Sequence, residues 1–381
     1  MTEWVPLKRV AQLRYGDALP SESRRAGNVS VVGSGGVSGT HDMANASGPA
    51  IVVGRKGSYG AVHWTSGVSF VIDTAYVIDR RMSRADIRWL YYVLSSVDLK
   101  GASQDVGVPG LSRDAAHSIL IPEPPSLVRQ RRIADFLDSE THQIDQIIAA
   151  RLKWGRLVRN RWITQVHDDI SSVAVGQFPL KRVLVRPPQY GAQEPGDLGE
   201  AGWPRYIRIT DLTEHGELRE GDVRRLHPAV ARQYMLRDGD ILLARSGATV
   251  GKGFRYRIEM GPACFAGYLI RIQADPSLVH SAYIDHWLRT EDYWSQIRSA
   301  SVQSTIQNVN AERFASLVLP YASLDSQLAV IDRATRRKVE VDRAAAVAQR
   351  QVDLLAERRQ ALITAAVTGQ IDVTTARGVD V

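Results

Sequence analysis

A long stretch without proline, from Ser126 to about Asp169, constrains the fold of this chain most strongly. Pro124 and Pro125 precede it, and Ser126 has the side chain of a typical helix N-cap. At 1.5 Å per residue, such a helix spans roughly 60 Å, and it needs a packing partner because isolated helices are only marginally stable in water. Its apolar residues recur at the spacing of an amphipathic helix, at Ile133, Phe136, Leu137, Ile144, Ile147, Ile148, Leu152, Leu157 and Val158.

The predicted partner lies at the other end of the chain, from Ser323 to about Thr368. Only Lys338 and Arg359 interrupt its apolar row, and the small residues in the middle of that row allow two helices to approach closely in a coiled coil. The periodicity leaves open whether the helices pair within one chain or between two chains. The row itself follows alternating three- and four-residue steps, at Ile331, Ala334, Val341, Ala345, Ala348, Val352, Leu355, Leu362 and Ala366.

The whole chain is predicted to be a tandem repeat of a compact domain followed by a long helix. The segment Val5–Val10 (VPLKRV) returns as Phe178–Val183 (FPLKRV), and Gln130 at the start of the first helix returns as Gln327 in the second. We expect compact domains at residues 1–121 and 176–319, a spacer helix at 122–175, and a second spacer helix with a C-terminal tail at 320–381. Antiparallel packing of the helices, with a pseudo-twofold relation between the halves, is the economical arrangement of such a repeat.

Both compact domains are predicted to be α+β, with short strands, few helices and glycine-rich turns. In the first domain, strands are expected at 29–32, 50–53 and 69–78, and a helix at 87–97. In the second, strands are expected at 206–209, 240–244, 253–257 and 268–272, and a helix from 282 that continues to 297.

Composition and missing motifs limit the function classes. The 381 residues carry a formal net charge of +7, which suits a polyanionic partner, and the single cysteine, Cys264, excludes an internal disulfide and favours a reducing cytoplasm. No signal peptide, transmembrane run, phosphate-binding loop or zinc-binding histidine pattern is present. The stretch 33–39 is rich in glycine but out of register with a nucleotide-binding loop. The sequence therefore predicts a chain without a catalytic, cofactor or metal site of its own.

Two glycine-rich loops at matching places in the repeat are the first candidates for contact with nucleic acid. Arginine reads guanine through two hydrogen bonds, hydroxyl groups contact phosphates or bases, and glycine lets the backbone come close. Each loop is also compatible with a tight hairpin that carries solvated cations. The candidate residues are Arg55, Lys56, Ser58 and Tyr59 in the first loop and Arg245, Ser246, Thr249 and Lys252 in the second.

A polar stretch at 301–310 offers a third set of candidates. Its amides and hydroxyls suit adenine edges or phosphates, and it is equally compatible with a capped loop that leads into a helix. The candidate residues are Gln303, Thr305, Gln307 and Asn308.

Two similar domains on a stiff spacer suit two half-sites of duplex DNA, which lie roughly 34–36 Å apart in twofold readers. Because the domains differ in sequence, a split and asymmetric target with an unread spacer is expected.

The chain resembles the specificity subunits of type I restriction–modification systems. The matching segments are 238–242 (DGDIL) with Arg245-Ser246-Gly247, 54–60 (GRKGSYG), Asp73–Tyr76 (DTAY), Gln130–Ile133 (QRRI) and 357–369 (ERRQALITAAVTG), and together they span nearly the whole chain. Arg129 and Ser326 stand where the family often has Glu. The resemblance implies two target-recognition domains on double-stranded DNA, and an antiparallel coiled coil that binds two modification subunits.

The resemblance also places the chemistry on partner subunits. It implies that modification subunits carry S-adenosylmethionine and methylate adenine, and that a restriction and motor subunit, which uses ATP and Mg, joins them for cleavage. The outer face of the first helix, with Trp154, Trp162, Arg156, Arg159 and Arg161, is then a docking surface or a surface that packs on the adjoining domain. The alternatives are a coiled-coil scaffold without a DNA role, the reader part of another restriction or methyltransferase system, and an enzyme fused to its own reader.

Overall fold

The computed structural model describes residues 3–101, 110–213, 216–219, 221–302 and 308–373. It divides into two compact units, here called unit 1 (Met1–Leu152 with Gln349–Val381) and unit 2 (Lys153–Ala348). The divisions fall inside the two long helices, so each unit contains one half of each helix. The predicted boundaries at 121, 175 and 319 therefore all lie within a unit.

Unit 1 contains three small sheets. The largest has the strand order β2-β8-β5-β6, the second has the order β4-β3-β7, and β1 pairs with β9. The range 69–78, predicted as one strand, forms two strands that belong to different sheets. The elements are β1 (Trp4–Pro6), β2 (Arg14–Tyr15), β3 (Val29–Gly33), β4 (Gly36–His41), β5 (Ala50–Gly54), β6 (Val62–Thr65), β7 (Ser69–Val71), β8 (Ala75–Asp79), α1 (Ile87–Ser96), α2 (Arg113–Ser118), β9 (Leu120–Pro122) and the first part of α3 (Leu127–Val173).

Unit 2 repeats this topology. Its four-stranded sheet has the order β11-β16-β13-β14, β12 pairs with β15 in parallel as β3 does with β7, and β10 pairs with β17. The elements are β10 (Gly176–Pro179), β11 (Gln189–Tyr190), β12 (Arg205–Ile207), α4 (Pro228–Ala231), β13 (Ile241–Ala244), β14 (Gly253–Arg255), β15 (Ala263–Phe265), β16 (Leu269–Ile272), α5 (Ser281–Trp287), α6 (Glu291–Val302), α7 (Ala311–Ser316), β17 (Val318–Tyr321) and the first part of α8 (Leu324–Val367).

The helix predicted from 282 to 297 is two helices, α5 and α6. Thr290 accounts for the break, because its hydroxyl donates to the carbonyl of Trp287 at 2.7 Å and accepts from the backbone N–H of Tyr293 at 3.5 Å. A threonine side chain that caps a new helix in this way satisfies backbone groups that a continuous helix would pair internally. Sequence periodicity alone does not reveal the break, since apolar spacing continues across it.

The short repeat VPLKRV/FPLKRV has one structure in both units. Each copy is an edge strand followed by a 3-10 turn, Leu7–Arg9 in unit 1 and Leu180–Val183 in unit 2. Leu7 and Leu180 are buried, and their N–H groups donate to the carbonyls of Ile119 and Leu317 at 2.8 and 2.7 Å. The repeat therefore closes each unit by tying its first strand to the strand before the long helix.

The two long helices are confirmed and pair within one chain. α3 has 47 residues and α8 has 44 residues. In unit 1, Ile133 and Leu137 of α3 share a core with Ile363 and Val367 of α8, while Asp145 pairs with Arg359 at 3.1 Å, so the two segments run antiparallel. In unit 2, the indole N–H of Trp162 donates to the carbonyl of Ala334 at 3.0 Å.

Not every apolar residue of the predicted helix faces is buried. Ile147 and Leu152 in unit 1 and Leu157 in unit 2 are exposed, and so is Trp154. Trp162 is buried in the core of unit 2 beside Val166 and Ile170, in agreement with the alternative that this face packs on the adjoining domain. Periodicity identified α3 correctly but could not distinguish its buried face from its exposed face, because the middle of α3 carries apolar side chains on more than one side.

One buried glutamine in each unit joins the long helix to the adjoining domain. In unit 1, the amide oxygen of Gln130 accepts from the N–H of Asp86, the N-cap of α1, at 2.6 Å, and its NH₂ group donates to the carbonyl of Pro125 at 2.6 Å. In unit 2, Gln327 accepts from the N–H of His280, the N-cap of α5, at 2.9 Å and donates to the carbonyl of Ala322 at 2.8 Å. The repeated glutamine predicted from sequence is thus a repeated helix-to-domain lock.

Replacing this glutamine should destabilise the unit that contains it. Gln327→Ala leaves buried backbone groups without partners, and each such group costs about 1–3 kcal/mol. We expect the melting midpoint to fall by several degrees, since 1 kcal/mol corresponds to roughly 2–4 °C in a unit of this size. Calorimetry of the full chain measures this shift. Gln349→Ala on the exposed face of α8 is the control, and equal midpoints for the two variants would refute the lock.

A buried histidine makes the stability of unit 2 depend on pH. Burial lowers the pKa of His286 to about 4, and its ring packs edge-on to Trp162 with 6.2 Å between centroids. The unfolded chain takes up the proton below about pH 6.5, whereas the folded chain does not until the pH is much lower. The contribution of this neutral, buried imidazole to stability is therefore fully present above about pH 7 and is lost as the pH falls towards 4.

Replacing His286 should make the free energy of unfolding less dependent on pH below about 7. Between pH 7 and 4, we expect the free energy of unfolding of the wild-type chain to fall by about 3 kcal/mol more than that of His286→Phe. The variant lacks the group whose pKa is shifted but keeps an aromatic ring at this position. Urea unfolding at a series of pH values measures the difference. His142→Gln, on the exposed face of α3, should retain the wild-type slope. Parallel profiles for wild type and His286→Phe would contradict the assignment.

Candidate nucleic-acid interface

Arg55 lies at the end of β5 and is held by backbone and ring contacts. Its N–H donates to the carbonyl of Thr74 at 2.8 Å, and its carbonyl accepts from Leu111 at 2.9 Å. The guanidinium donates to the carbonyl of Asp73 at 3.2 Å and lies 5.0 Å from the ring centroid of Tyr15, which is exposed. The side chain is therefore preoriented on an aromatic surface that faces solvent.

Arg245 occupies the same place in unit 2, at the end of β13. Its N–H donates to the carbonyl of Tyr268 at 3.1 Å, and its carbonyl accepts from Val309 at 2.8 Å. The guanidinium lies 4.9 Å from the ring centroid of the exposed Tyr190 and donates to the amide oxygen of Asn308 at 3.4 Å. The structure thus brings together two predicted residues, Arg245 and Asn308, that are far apart in sequence.

The tyrosines of both pairs are missed by the loop motifs and come from the edge strands β2 and β11. The signal that could have found them is a repeated Tyr-Gly dipeptide, Tyr15-Gly16 and Tyr190-Gly191. A Cβ on Gly16 would lie 2.2 Å from the carbonyl oxygen of Ile72, and one on Gly191 would lie 2.4 Å from that of Ala266. Each glycine therefore permits the close backbone approach that places its tyrosine under the arginine.

Side-chain contacts hold the tyrosine-bearing strands in place. In unit 1, Arg14 beside Tyr15 donates to the carbonyl of Asn45 at 2.7 Å. In unit 2, Gln189 beside Tyr190 accepts from Arg271, a buried residue that lies 3.5 Å from the carboxylate of Asp240. These polar contacts fix the strands that carry Tyr15 and Tyr190, whose rings are here called the aromatic platforms.

Neither arginine is neutralised by a carboxylate in the part of the chain that the structure describes. Across the described ranges, no carboxylate lies within ion-pair distance of Arg55 or Arg245, although many other arginines of the chain are paired in this way. An unpaired guanidinium that stacks on an exposed ring has donors left for a ligand, and its planar fork matches phosphate and the guanine edge. The arrangement suits an extended polyanion with readable edges.

The remaining predicted residues lie in different environments. Lys56 and Ser58 are exposed, Ser246 is half-buried, and the Thr249 hydroxyl donates to the carbonyl of Ser246 at 3.5 Å. Tyr59 is partly buried against the core of unit 1. Lys252 lines a cavity of about 100 Å³ with Arg159 and Trp162, a set that does not include Arg245. Gln303, Thr305 and Gln307 lie outside the described residues.

Burial shifts the pKa of two titratable groups near the interface elements and the core in the described part of the chain. Burial raises the pKa of the Cys264 thiol to about 12, which keeps it protonated and unreactive. Burial, with Tyr15 nearby, raises the pKa of Tyr76 to about 12. No group of three or more metal-ligating side chains occurs among the described residues, and none of the described helices is long and apolar enough to cross a membrane.

The fold of this chain is similar to that of solved structures. No protein-family model and no curated protein matches the sequence. A chain from a structure of complex assembly and conformational transition in a type I restriction–modification system matches with a TM-score of 0.65 at 13% identity, covering 97% of this chain and 98% of that one. This match extends over both units and both long helices, and it confirms the fold that the sequence resemblance implies.

Two further structures match with lower TM-scores. The type I restriction–modification S subunit from M. genitalium has a TM-score of 0.41 at 15% identity, covering 96% of each chain. The HsdS subunit from Thermoanaerobacter tengcongensis has a TM-score of 0.40 at 15% identity, covering 97% of each chain.

The aromatic platform should contribute to affinity for duplex DNA. Tyr190→Ala frees the Arg245 guanidinium, and an exposed cation–π contact is worth about 0.5–1 kcal/mol, so we expect binding of a labelled duplex to weaken roughly two- to fivefold. Fluorescence anisotropy at low salt measures it. Tyr190→Phe keeps the ring and should bind nearly as wild type. Equal affinities for Tyr190→Ala and wild type would remove the platform from the interface.

Proposed function

We propose that this chain, which shares its fold with a type I restriction–modification chain, is the DNA-recognition subunit of such a complex. It reads a bipartite, asymmetric site in duplex DNA, with one half-site for each unit. The observation that carries the proposal is the recurrence, at the same position of both units, of an arginine on an exposed tyrosine, with no ion-pair partner among the described residues. The shared fold supports the type of complex, and the repeated site supports DNA as the ligand.

Arginine on an aromatic platform suits base recognition better than a free surface cation does. The guanidinium forms two parallel hydrogen bonds to the O6 and N7 atoms of guanine, and each such contact discriminates against the wrong base by about 1–3 kcal/mol. Stacking on Tyr15 or Tyr190 lowers the entropy lost when the side chain is fixed. Arg55 and Arg245 are therefore the residues proposed to read bases.

The two half-sites should differ because the surroundings of the two arginines differ. Next to Arg55 stands Lys56, whereas the equivalent position next to Arg245 is Ser246, and both positions form a single bridge to the segment before a short helix. Asn308 adds an amide beside Arg245, and amides suit adenine edges. These differences predict two unlike sequences separated by an unread spacer.

The chemistry of the proposed complex belongs to other subunits. We propose that this chain is not itself an enzyme and that it positions two modification subunits, which carry S-adenosylmethionine and methylate adenine, and that restriction and motor subunits with ATP and Mg join them. Exposed apolar side chains on the helix halves support two docking surfaces, with Ile147, Leu152 and Leu354 in unit 1 and Trp154, Leu157, Val339 and Val347 in unit 2. The cytoplasmic location expected from the sequence stays a prediction.

The half-site assignment can be tested in cells that express this chain with a modification subunit. We expect genome-wide adenine-methylation mapping to give a split motif for the wild type. Arg245→Ala should relax one half of the motif, with a loss of about 1–3 kcal/mol in discrimination, and Arg55→Ala should relax the other half. Arg257→Ala, an exposed arginine of unit 2 paired with Glu259, is the matched control and should keep the motif. A motif that survives both Arg55→Ala and Arg245→Ala would refute the assignment.

A further inference from the structure

A second arginine of unit 1, Arg113, lies on the same tyrosine as Arg55. Its guanidinium carbon is 5.2 Å from the Tyr15 ring centroid, and that of Arg55 is 5.0 Å from the same point. The two cations are therefore within about 10 Å of each other, which is no more than one Debye length at moderate salt. No sequence motif identified Arg113 as a candidate, because it comes from a separate part of the chain.

The position of Arg113 is fixed by the elements around it. It is the first residue of α2, and the hydroxyl of Ser112 caps this helix by accepting from the N–H of Ala115 at 3.2 Å. Two residues earlier, Leu111 donates to the carbonyl of Arg55 at 2.9 Å and accepts from the hydroxyl of Tyr76 at 2.8 Å. The backbone therefore holds both arginines next to one exposed ring.

This pair of cations is not neutralised within the described part of unit 1. No ion pair joins Arg113 or Arg55 to a carboxylate there, and Tyr15 and Arg113 are exposed. Two like charges close together repel each other, and an anion bound next to them lowers that cost. Guanidinium groups suit phosphate because their donors match its oxygens in pairs.

Unit 2 lacks this second cation. The position equivalent to Arg113, the first residue after the N-cap of α7, is Ala311, whose N–H donates to the hydroxyl of Tyr190 at 3.2 Å. The repeat thus provides one arginine on the tyrosine of unit 2 and two on that of unit 1. The difference is one of charge, because the four-stranded sheet that carries the arginine and the tyrosine has the same strand arrangement in both units.

We propose that Arg113, which lies on Tyr15 beside the base-reading Arg55, binds a backbone phosphodiester of DNA, and that this phosphate clamp is present in unit 1 alone. Arg113 contributes affinity without sequence information, because phosphates are the same at every step. Unit 1 therefore makes one more phosphate contact with its half-site than unit 2 makes with the other. This inference rests on the proposed DNA-binding function and adds a residue and a role to it.

Salt dependence of binding is the property that tests the clamp. For the full chain and a random-sequence duplex, log K falls linearly with log salt, and each phosphate contact contributes about 0.9 to the slope. Arg113→Ala should reduce the magnitude of this slope by about 0.9, and Arg113→Lys should leave the slope unchanged. In the mapped methylation motif, Arg113→Ala should leave both half-sites unchanged, which distinguishes a phosphate contact from base reading.

Two matched variants complete the test. Arg81→Ala removes the same charge from unit 1 at the other end of β8 and should not change the slope. Ala311→Arg should raise the slope by about 0.9, because it gives unit 2 the missing cation. Melting curves identify any variant that fails to fold, and the loss at Arg113→Ala and the gain at Ala311→Arg are read independently.

The outcomes separate this inference from the proposed function. If the wild-type chain binds DNA and Arg113→Ala keeps the wild-type slope, the clamp is refuted and the proposed function stands. A relaxed half-site in Arg113→Ala would also refute it, since Arg113 would then read a base. If the wild-type chain does not bind duplex DNA even at low salt, the proposed function fails, and the clamp fails with it.

Discussion

The fold depends on the buried glutamine that joins each long helix to its domain. Gln130 and Gln327 each accept from the N-cap residue of a domain helix and donate to the carbonyl just before their own long helix. Because a buried amide has a fixed set of partners, this contact sets both the start and the direction of the long helix. Each unit therefore carries its candidate interface and its helix halves as one body.

The candidate interface follows from a second repeated contact, between an arginine and a tyrosine. The arginine comes from the end of a central strand and the tyrosine from an edge strand, so the pair forms only when the four-stranded sheet is complete. The Tyr-Gly dipeptide lets the edge strand come close enough. Recognition chemistry and sheet assembly are thus coupled, and damage to the sheet should disturb the interface before it disturbs the long helices.

The repeat preserves this framework while changing charge around it. Arg113 in unit 1 is Ala311 in unit 2, and Lys56 is matched by Ser246, whereas the backbone contacts of Arg55 and Arg245 are the same. A duplicated scaffold with altered side chains is a direct physical route to a reader of two unlike half-sites. The net charge of +7 is then less informative than the places where cations remain unpaired.

The sequence by itself determined the long helices, the repeat and the glutamine pair, and it identified Arg55 and Arg245 as candidate site residues. These follow from local periodicity and repeated motifs, which depend on neighbours along the chain. Tertiary structure decided that Trp162 is buried and Trp154 exposed, that a break separates α5 from α6, and that Tyr15, Tyr190 and Arg113 join the interface. Those features depend on which strands and helices meet, and residues as far apart as Tyr15 and Arg113 are brought together only by the completed sheet.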